Sequence, residues 1–388
     1  MGIKIGVEHM FTRGRVSGLF SNDSPITKTI FSLQRYGRAI RVESILKQRL
    51  PKKMKNTKEL LNVRNLRVRF NAKEGAISIV DGIDLRVNKG EAVGLVGETG
   101  AGKTVTARSI LRILQPIGKG KPLWTIEGEI FFKGKDLFTL SEEETRAIRG
   151  TEISYIPQNP IPSLHPIDVI GYQTGEAVEE HEELERQRIW EMVVEHLGKV
   201  EIADAKQRYN DFRDQFSGGE GQRILIAMAL IRNPSLLIAD EPTSSLDVTV
   251  QRQILQLLKA VKKQFNLSML LIAHNLAVIA ELSDYVYVMY AGKIVEHGNV
   301  VTIFSNAVHP YTRGLMASIP RMHAKKGDFS FGGIPGEPPN PLYPISGCKF
   351  HPRCNYAMPA CSTEEPESVE IEPNHSVGCL RVDDLLKS

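Results

Sequence analysis

Cysteine is scarce in this chain, since the first 347 of its 388 residues contain none and all four cysteines follow. That distribution, in a chain long enough to bury a large core, is not typical of a disulfide-stabilised scaffold. Long apolar runs are scarce too, because the run SMLLIAHNLAVIA at 268 to 280 is interrupted by His274 and Asn275. It is shorter than the roughly 18 residues that cross a bilayer. We therefore predict no membrane-spanning segment.

The N-terminus lacks the features of a secretory signal, because MGIKIGVEHMFTRGRVSGLF has no uninterrupted apolar core before a small-residue cleavage site. We therefore expect the protein in the cytoplasm. Residues 1–58 carry 13 Lys and Arg against three acids, whereas the whole chain has a net charge of only +4. Three interpretations stay open: an arm that contacts anionic lipid or nucleic acid, a solvated tail, or a chain that starts at Met54. Residues 1–57 are accordingly a basic extension that is disordered or not native.

Strand-like and helix-like runs alternate from Leu60 onward, in a chain with an ordinary content of 41% apolar and 24% charged residues. The strand patterns include LNVRNLRVRF, EAVGLVG, LLIADE and SMLLIAH, and the helical patterns include VTARSILRIL and VQRQILQLLKAVKKQ. A hairpin is predicted at EGEIFFKGKDL and a closing strand pair at YVYVMYAGKIVEHG. This alternation predicts an α/β fold with a mostly parallel sheet covered by helices. Beyond Phe304, proline and glycine predict a loop-rich appendage.

The run GETGAGKT fits the pattern G-x(4)-G-K-[ST] and lies between a predicted strand and a predicted helix. Its glycines let successive backbone N–H groups converge on an anion, and the N-terminus of the helix adds partial positive charge. We expect Lys103 to reach the β and γ phosphates of a nucleotide, and the Thr104 hydroxyl to bind Mg²⁺. The predicted nucleotide-binding residues here are Gly97, Glu98, Thr99, Gly100, Ala101, Gly102, Lys103, Thr104 and Val105.

Asp240 and Glu241 follow the apolar run LLIA, which places two carboxylates at the end of a buried strand. We expect Asp240 to hold Mg²⁺ through water, and Glu241 to orient and polarise the water that attacks the γ phosphate. The alternative interpretation, that both acids only cap a helix before Pro242, does not account for the motifs that accompany them.

Those motifs together resemble the ATP-binding cassette (ABC) ATPases. The segment FSGGEGQR at 216 to 223 resembles the signature of that family, usually L-S-G-G-Q followed by Q-R. The other matching positions, in the order of the family, are the adenine-stacking aromatic Phe70, the Q-loop residue Gln158, the D-loop residue Asp247 and the switch histidine His274. The resemblance implies an ATPase with a P-loop NTPase core, a β-subdomain and a helical subdomain.

The resemblance also implies roles for single residues. His274 would contact the γ phosphate, and Gln158 would sense Mg²⁺ and pass closure of the site to transmembrane subunits. The implied magnesium ligands are Thr104, Gln158 and Asp240, and the implied catalytic residues are Glu241, His274 and Lys103.

In this family two cassettes face each other head to tail, so that each ATP lies between the phosphate loop of one subunit and the signature of the other. Ser217, Gly218 and Gly219 would therefore present a hydroxyl and backbone N–H groups to the γ phosphate of the ATP held by the partner. Asp247 would line the dimer seam. Glu220 departs from the usual Gln of the family and puts a carboxylate near that anionic ligand.

Two C-terminal segments, HPYTRGLMASIPR at 309 to 321 and GEPPNPLYPISGCKFHPRC at 336 to 354, resemble the extension of dipeptide and oligopeptide importer ATPases. The implied organisation is a nucleotide-binding domain at 58–304 and an extension at 305–388. The implied function is to power the import of peptides or a related solute from the cytoplasmic side of the cell membrane. The implied partners are two transmembrane permease subunits, a second homologous ATPase in a heterodimer and an extracellular solute-binding protein, with no nucleic acid. The alternative is a soluble cassette ATPase that acts on nucleic acid or ribosomes.

The four cysteines have the spacing C-x(5)-C-x(6)-C-x(17)-C, which lacks the close pairs of zinc ribbons and is compatible with a four-iron, four-sulfur cluster. The resemblance favours the cluster, because some importer ATPases of this type carry one here, while a zinc site and free thiols are the alternatives. We expect metal ligation to order the extension as a unit separate from the core that holds residues 97–104. The expected ligands are Cys348, Cys354, Cys361 and Cys379.

Overall fold

The computed structural model describes residues 58–73, 75–114, 123–318 and 333–387. The basic extension predicted at 1–57 lies outside the described residues, so its three interpretations stay open. The boundary predicted at residue 304 falls within a helix, Val300–Ser305.

Strands and helices of the described ranges are numbered here in chain order. The strands are β1 (Glu59–Ala72), β2 (Gly75–Asn88), β3 (Ala92–Val96), β4 (Trp124–Phe132), β5 (Lys135–Asp136), β6 (Ile153–Ile156), β7 (Leu236–Asp240), β8 (Ser268–Ala273), β9 (Tyr285–Tyr290), β10 (Lys293–Asn299), β11 (Val369–Glu372) and β12 (His375–Val377). The α-helices are α1 (Lys103–Ile110), α2 (Glu142–Ile148), α3 (Pro160–Ser163), α4 (Ile170–Glu179), α5 (Arg186–Lys199), α6 (Ala205–Arg208), α7 (Gly218–Leu230), α8 (Val248–Phe265), α9 (Leu276–Leu282), α10 (Val300–Ser305), α11 (Pro310–Ala317) and α12 (Val382–Leu386). In the described part of the chain, no helix combines the length and the apolar character needed to cross a bilayer.

A four-stranded antiparallel sheet, in the order β2-β1-β4-β5, forms the β-subdomain. Along β1, Leu61 and Val63 are buried, and the buried face resumes at Leu66 and Val68 after a shift in the register of pairing. That irregularity explains why the apolar alternation in the sequence changes phase within one strand. The predicted hairpin is formed by β4 and β5.

The main sheet has eight strands in the order β11-β12-β10-β9-β3-β8-β7-β6, of which the five from β9 to β6 run parallel. Its central strands are apolar throughout because both of their faces are covered. Along β7, Leu237 and Ala239 pack into the core shared with the helices, whereas Leu236 and Ile238 pack into the core shared with the β-subdomain. The predicted α/β fold with a mostly parallel sheet is confirmed.

Helices α4, α5 and α7 form the helical subdomain beside the main sheet. Buried residues from each of them, including Val178, Val193 and Ile224, belong to a single apolar core. On α8, the buried residues Ile254, Leu258 and Val261 follow the helical period, so this helix packs one face against the same core.

The C-terminal extension continues the main sheet. Strand β12 pairs with β10, and β11 pairs with β12. Phe350 is only 3% exposed and packs against the rings of Tyr290 and Tyr311, with centroid distances of 5.1 and 5.4 Å. The expectation of an extension separate from the nucleotide-binding core is therefore wrong, because Phe350 is buried in the core shared with the helices and β12 joins the main sheet.

Glu296 on β10 is fully buried, and residues of the extension satisfy its carboxylate. The carboxylate accepts hydrogen bonds from the Val308 amide at 2.8 Å, the His309 amide at 3.1 Å and the His375 imidazole at 2.8 Å. Burial lowers the pKa of His309 to about 4, so its neutral Nδ1 accepts a hydrogen bond from the Tyr311 amide. The extension thus compensates a buried charge of the strand that it joins.

Candidate functional site

The loop between β3 and α1 contains glycines at positions where a side chain does not fit. A Cβ atom on Gly97 would lie 2.1 Å from the carbonyl oxygen of Met289. Gly102 has a φ of 105°, and a Cβ there would lie 2.8 Å from the carbonyl oxygen of Ile79. Because α1 begins at Lys103, its first N–H groups have no partner within the helix and are available to an anion in the loop.

Lys103 is 5% exposed, and its ammonium lies within the curve of this loop. Its Nζ donates hydrogen bonds to the carbonyl oxygens of Gly97 at 2.8 Å and Glu98 at 2.9 Å. Burial lowers the pKa of Lys103, and the carboxylates of Glu241, Asp240 and Glu98 oppose that effect. The structure therefore places a buried cation where the sequence predicts the nucleotide phosphates.

Asp240 ends β7 and is 1% exposed beside the start of α1. One of its oxygens accepts a hydrogen bond from the Thr104 hydroxyl at 3.1 Å, and the other accepts one from the Tyr155 hydroxyl at 2.8 Å. Burial raises the pKa of Asp240, and these two hydrogen bonds oppose the rise. Burial and Asp240 raise the pKa of Tyr155 to about 12, so this hydroxyl stays protonated and donates to Asp240.

Glu241 contacts two of the predicted site residues. Its Oε2 accepts a hydrogen bond from Gln158 Nε2 at 2.8 Å and lies 3.1 Å from Nδ1 of His274. Glu241 has a φ of 49°, a left-handed conformation that is strained for a residue with a side chain. The Glu241 amide donates to the carbonyl oxygen of Ile272 on β8, which holds this backbone against the neighbouring strand.

The topology of the main sheet explains this convergence. Gln158 follows β6, Glu241 follows β7, His274 follows β8 and the phosphate loop follows β3. These four strands are parallel neighbours in the order β3-β8-β7-β6, so the segments after them meet at one edge. Ligands of open α/β sheets bind at the carboxyl ends of the strands, which makes this edge the candidate nucleotide site.

The signature residues start helix α7 and contact other parts of the chain. Ser217 caps α7, accepting a hydrogen bond from the Glu220 amide at 3.3 Å and donating its hydroxyl to Glu220 Oε2 at 2.8 Å. The pKa of Glu220 is lowered by the Ser217 amide, which donates to Oε2 at 2.9 Å, by the Ser217 hydroxyl and by Arg208, whose guanidinium nitrogen lies 3.2 Å away. The unusual carboxylate therefore completes a capping box and is compensated by a cation. A Cβ on Gly219 would meet Val250 at 2.6 Å, so the signature lies beside α8.

Two of the predicted site residues, Asp247 and Phe70, have contacts outside the hydrogen bonds around Glu241 and Asp240. Asp247 is exposed and caps α8, accepting from the amides of Thr249 at 2.9 Å and Val250 at 3.0 Å. Phe70 lies on β1 and packs against Trp124, with a centroid distance of 5.0 Å. Their predicted roles at the dimer seam and at adenine stay predictions.

The prediction of an iron-sulfur cluster, or of zinc, at Cys348, Cys354, Cys361 and Cys379 is wrong. Within the described ranges, which include all four cysteines, no group of three or more Cys, His, Asp or Glu side chains could hold a metal ion. Burial raises the pKa of Cys348 to about 11 and also raises the pKa of Cys354 and Cys379, so the free thiols of these three residues are protonated at neutral pH.

The reason for the error is that the extension has other means of becoming ordered. The Cys348 amide donates to the carbonyl oxygen of Cys361 at 2.9 Å, and Phe350 packs into the core shared with the helices. Because the loop uses the core of the main sheet, it needs no metal to compensate for its small apolar content.

Three residues of this region were missed by reasoning from sequence. Tyr155 lies on β6, three residues before the predicted Q-loop residue Gln158, and this strand pairs with β7, which ends at Asp240. Arg353 and Tyr311 lie in the two C-terminal segments, 309–321 and 336–354, that resemble the extension of importer ATPases. Both residues contact Glu98 of the phosphate loop.

Comparisons with known proteins agree with this geometry. Residues 80–244 match the family model described as ABC transporter, and residues 295–361 match the one described as Oligopeptide/dipeptide transporter, C-terminal region. The dipeptide transport ATP-binding protein DppD of Bacillus subtilis is 41% identical over 321 residues, 83% of this chain and 94% of its own length. The oligopeptide transport ATP-binding protein OppD of Escherichia coli is 40% identical over 328 residues, 84% of this chain and 95% of its own length.

A solved structure shares the fold. It is the dimer of an ATP-binding cassette in a post-hydrolysis state with ADP and phosphate bound, with a TM-score of 0.55 and 23% identity over 62% of this chain and 99% of that chain. The fold and the site together define an ATP-hydrolysing cassette. The chain belongs to the ATP-binding proteins of the ABC transporter family, as the resemblance of its motifs had implied.

Proposed function

We propose that this chain is the ATP-hydrolysing subunit that powers the import of peptides through a membrane transporter. The match to the oligopeptide/dipeptide transporter region and the names of the relatives support peptide import. The hydrolytic role is supported above all by one observation, the contact of Glu241 with both Gln158 and His274 at the edge that carries Lys103. The subunit would lie on the cytoplasmic face of the membrane, with two permease subunits, a second homologous ATPase and an external solute-binding protein.

ATP would bind with its phosphates in the loop between β3 and α1. The Lys103 ammonium, which now donates to two loop carbonyls, would turn toward the β and γ phosphates and offer a charge-assisted hydrogen bond. The N-terminus of α1 would add further N–H donors. Phe70, packed on Trp124 in the β-subdomain, would stack on adenine.

Hydrolysis would then depend on the Glu241 carboxylate. It would accept a hydrogen bond from water and orient the water oxygen toward the γ phosphorus. The bond from that oxygen to phosphorus forms as the bond to the oxygen bridging the β and γ phosphates breaks, which gives ADP and phosphate. Gln158 and His274 would hold the carboxylate in place, and His274 is exposed enough to contact the γ phosphate as well.

Oxygen ligands for Mg²⁺ are present beside this loop. Thr104 and Asp240 are 3.1 Å apart through their side-chain oxygens, and hard oxygen donors of this kind are those that Mg²⁺ prefers. This donor set fits the ion, and we propose that Thr104, Asp240 and Gln158 hold it directly or through water. Bound there, the ion would offset the negative charge of the β and γ phosphates.

Replacing Tyr155 by phenylalanine should raise the Mg²⁺ concentration that gives half-maximal ATP hydrolysis by about 10-fold, as is typical when a hydrogen-bond partner of a metal ligand is lost. The hydroxyl donates to Asp240 at 2.8 Å and fixes the direction of its oxygens. A magnesium titration of the hydrolysis rate measures the effect. The control is Tyr343→Phe, which changes a mostly exposed ring of the C-terminal extension. An unchanged midpoint for Tyr155→Phe would remove Asp240 from the proposed magnesium site.

The signature would complete the site of a partner cassette. Ser217, Gly218 and Gly219 lie at the start of α7, where N–H groups and a hydroxyl are available to the γ phosphate of a facing ATP. The negative charge of Glu220 does not prevent this role, because Arg208 and the hydrogen bonds of the capping box compensate that charge. We propose a heterodimer with a homologous ATPase, with Asp247 at the seam.

The permease would dock on exposed apolar side chains of the helical subdomain. Ile167 is 75% exposed, Tyr172 is 48% exposed and Phe212 is 43% exposed. Phe212 lies beside the segment that carries Ile167 and Tyr172, because Val169 forms a backbone bridge to Phe212, and we propose the three as one surface. This surface is built on the segment that directly follows Gln158, so a permease helix bound there would be linked through few residues to Glu241.

Replacing Ile167 by glutamate should reduce the recovery of permease subunits with this chain by about 10-fold or more, since a buried charge is costly at the centre of an interface. Nucleotide binding by the isolated chain should not change. The control is Leu184→Glu, an exposed leucine of the same subdomain outside this surface. Equal recovery with both variants would place the permease elsewhere.

The import function itself is tested by reconstituting the complex in lipid vesicles with its solute-binding protein. We expect peptide uptake that requires ATP, and hydrolysis that rises when peptide-loaded binding protein is added. Uptake of another solute, with no effect of di- or oligopeptides, would refute the peptide assignment and leave the ATPase assignment intact. Tight, strongly salt-dependent binding of nucleic acid by the purified chain would favour the alternative of a soluble cassette.

A further inference from the structure

The phosphate loop is tied to the C-terminal extension by an ion pair that spans 255 positions in the sequence. Arg353 Nη1 lies 2.7 Å from Glu98 Oε2, and Arg353 Nη2 lies 3.1 Å from Glu98 Oε1. The two parallel contacts are the bidentate arrangement in which guanidinium and carboxylate bind best. The side chain of Arg353 is 7% exposed and that of Glu98 is 24% exposed, so water screens this pair only in part.

The position of the guanidinium is fixed by further partners in the extension and the core. Arg353 Nε donates to the carbonyl oxygen of Pro335 at 2.8 Å, and Nη2 donates to that of Gly336 at 3.1 Å. Nη1 also donates to the Tyr290 hydroxyl at 3.3 Å. A side chain held by so many contacts can impose a position on its carboxylate partner.

A second residue of the extension holds the backbone of the same loop position. The Glu98 amide donates to the Tyr311 hydroxyl at 2.8 Å. Tyr311 is fully buried, and its ring packs against Tyr290 with a centroid distance of 4.6 Å. The carbonyl oxygen of Glu98 accepts from Lys103, so the amide, the carbonyl and the carboxylate of this residue are all engaged.

Because Glu98 carries a carboxylate, its pairing with Arg353 affects how the loop binds a phosphate ligand. The carboxylate belongs to the second residue of a loop that is to receive a polyphosphate, and without compensation the two negative charges would repel. Arg353 supplies the compensating charge from outside the loop. The contact therefore both neutralises Glu98 and fixes the backbone from which the phosphate-binding residues continue.

We propose that Arg353 is a positioning residue through which the C-terminal extension sets the nucleotide affinity of the phosphate loop, with Tyr311 holding the Glu98 amide. This inference rests on the proposed function, since it requires that ATP binds in this loop. It adds a further role to the extension, which is to shape the nucleotide site of its own chain.

The test is a set of variants of the full chain, titrated with a fluorescent ATP analogue and assayed for hydrolysis in the assembled transporter. Arg353→Met should weaken nucleotide binding about 10-fold, within the usual range for coupled sites, and should raise KM with little change in kcat. The double variant Glu98→Gln with Arg353→Met should recover most of that affinity, because no unpaired carboxylate remains. Tyr311→Phe, which keeps the packing of the ring, should weaken binding about 3-fold, as expected for the loss of one hydrogen bond.

The control is Arg381→Met, which removes a half-exposed arginine of the extension that pairs with Asp384 at 2.9 Å. It should bind nucleotide as the unchanged chain does. Wild-type affinity in both Arg353→Met and Tyr311→Phe would overturn the inference, as would a double variant no better than Arg353→Met. If Arg353→Met does not fold, Tyr311→Phe and the double variant decide. Failure of the unchanged chain to bind ATP would instead refute the proposed function.

Discussion

Replacing Glu241 by glutamine is expected to lower the rate of ATP hydrolysis by about 100-fold or more while leaving ATP binding intact. The amide has the shape of the carboxylate but neither its negative charge nor its basicity, so it cannot polarise the attacking water. Its position should be kept, because Gln158 and His274 contact this side chain from two neighbouring loops. With hydrolysis blocked, ATP should also trap the closed dimer.

The measurement is phosphate release by the assembled transporter at saturating ATP, with the fraction of dimer followed by size-exclusion chromatography. A matched control is Glu281→Gln, which changes a carboxylate of α9 that pairs with Lys259 at 2.9 Å. Turnover close to normal in Glu241→Gln would remove this residue from the catalytic role. Loss of ATP binding would instead show that the side chain supports the structure of the site.

Replacing Lys103 by alanine is expected to weaken ATP binding itself, by on the order of 100-fold, because a buried charge-assisted contact to the phosphates is lost. Lys103 is 5% exposed, and its ammonium lies within the loop. Its removal also leaves the carbonyl oxygens of Gly97 and Glu98 without this donor. The loop should therefore lose both a phosphate contact and part of its internal support.

Equilibrium titration with labelled ATP measures this effect, with Lys259→Ala as the control for loss of a lysine from a half-exposed pair. Thermal unfolding of both variants separates a change in affinity from a change in stability. Unchanged affinity in Lys103→Ala would contradict the assignment of the loop as the phosphate site.

Much of the central architecture could be predicted from the sequence, because buried parallel strands have a composition that is easily recognised. The run LLIAD is apolar at each position that faces either core, and it leads directly to the two carboxylates. The hairpin of β11 and β12 could not be predicted in this way. Its strands are short, since the alternation VEIE of β11 covers only four residues and β12 only three, and β11 is mostly exposed, so the pattern is too brief to specify a strand.

The candidate site likewise contains residues that could be predicted from the sequence and residues that could not. Gln158, Glu241 and His274 were found one by one from motifs, and the structure brings them into direct contact. Arg353 could not be assigned from sequence, because its partner Glu98 is remote along the chain and neither residue has a pattern that specifies the other. The cysteines show the opposite error, since their number, their confinement to one loop-rich segment and the resemblance to importer ATPases were taken to indicate a shared metal site.

The way in which the extension joins the main sheet limits how the chain can be divided for experiments. A protein that ended at residue 304 would present β10 as a bare outer strand, whose backbone groups are free to pair with other molecules. It would also remove Val308, His309 and His375, whose groups hydrogen-bond to the Glu296 carboxylate. Such a truncated protein should aggregate during expression, so the catalytic core is best produced with its C-terminal residues attached.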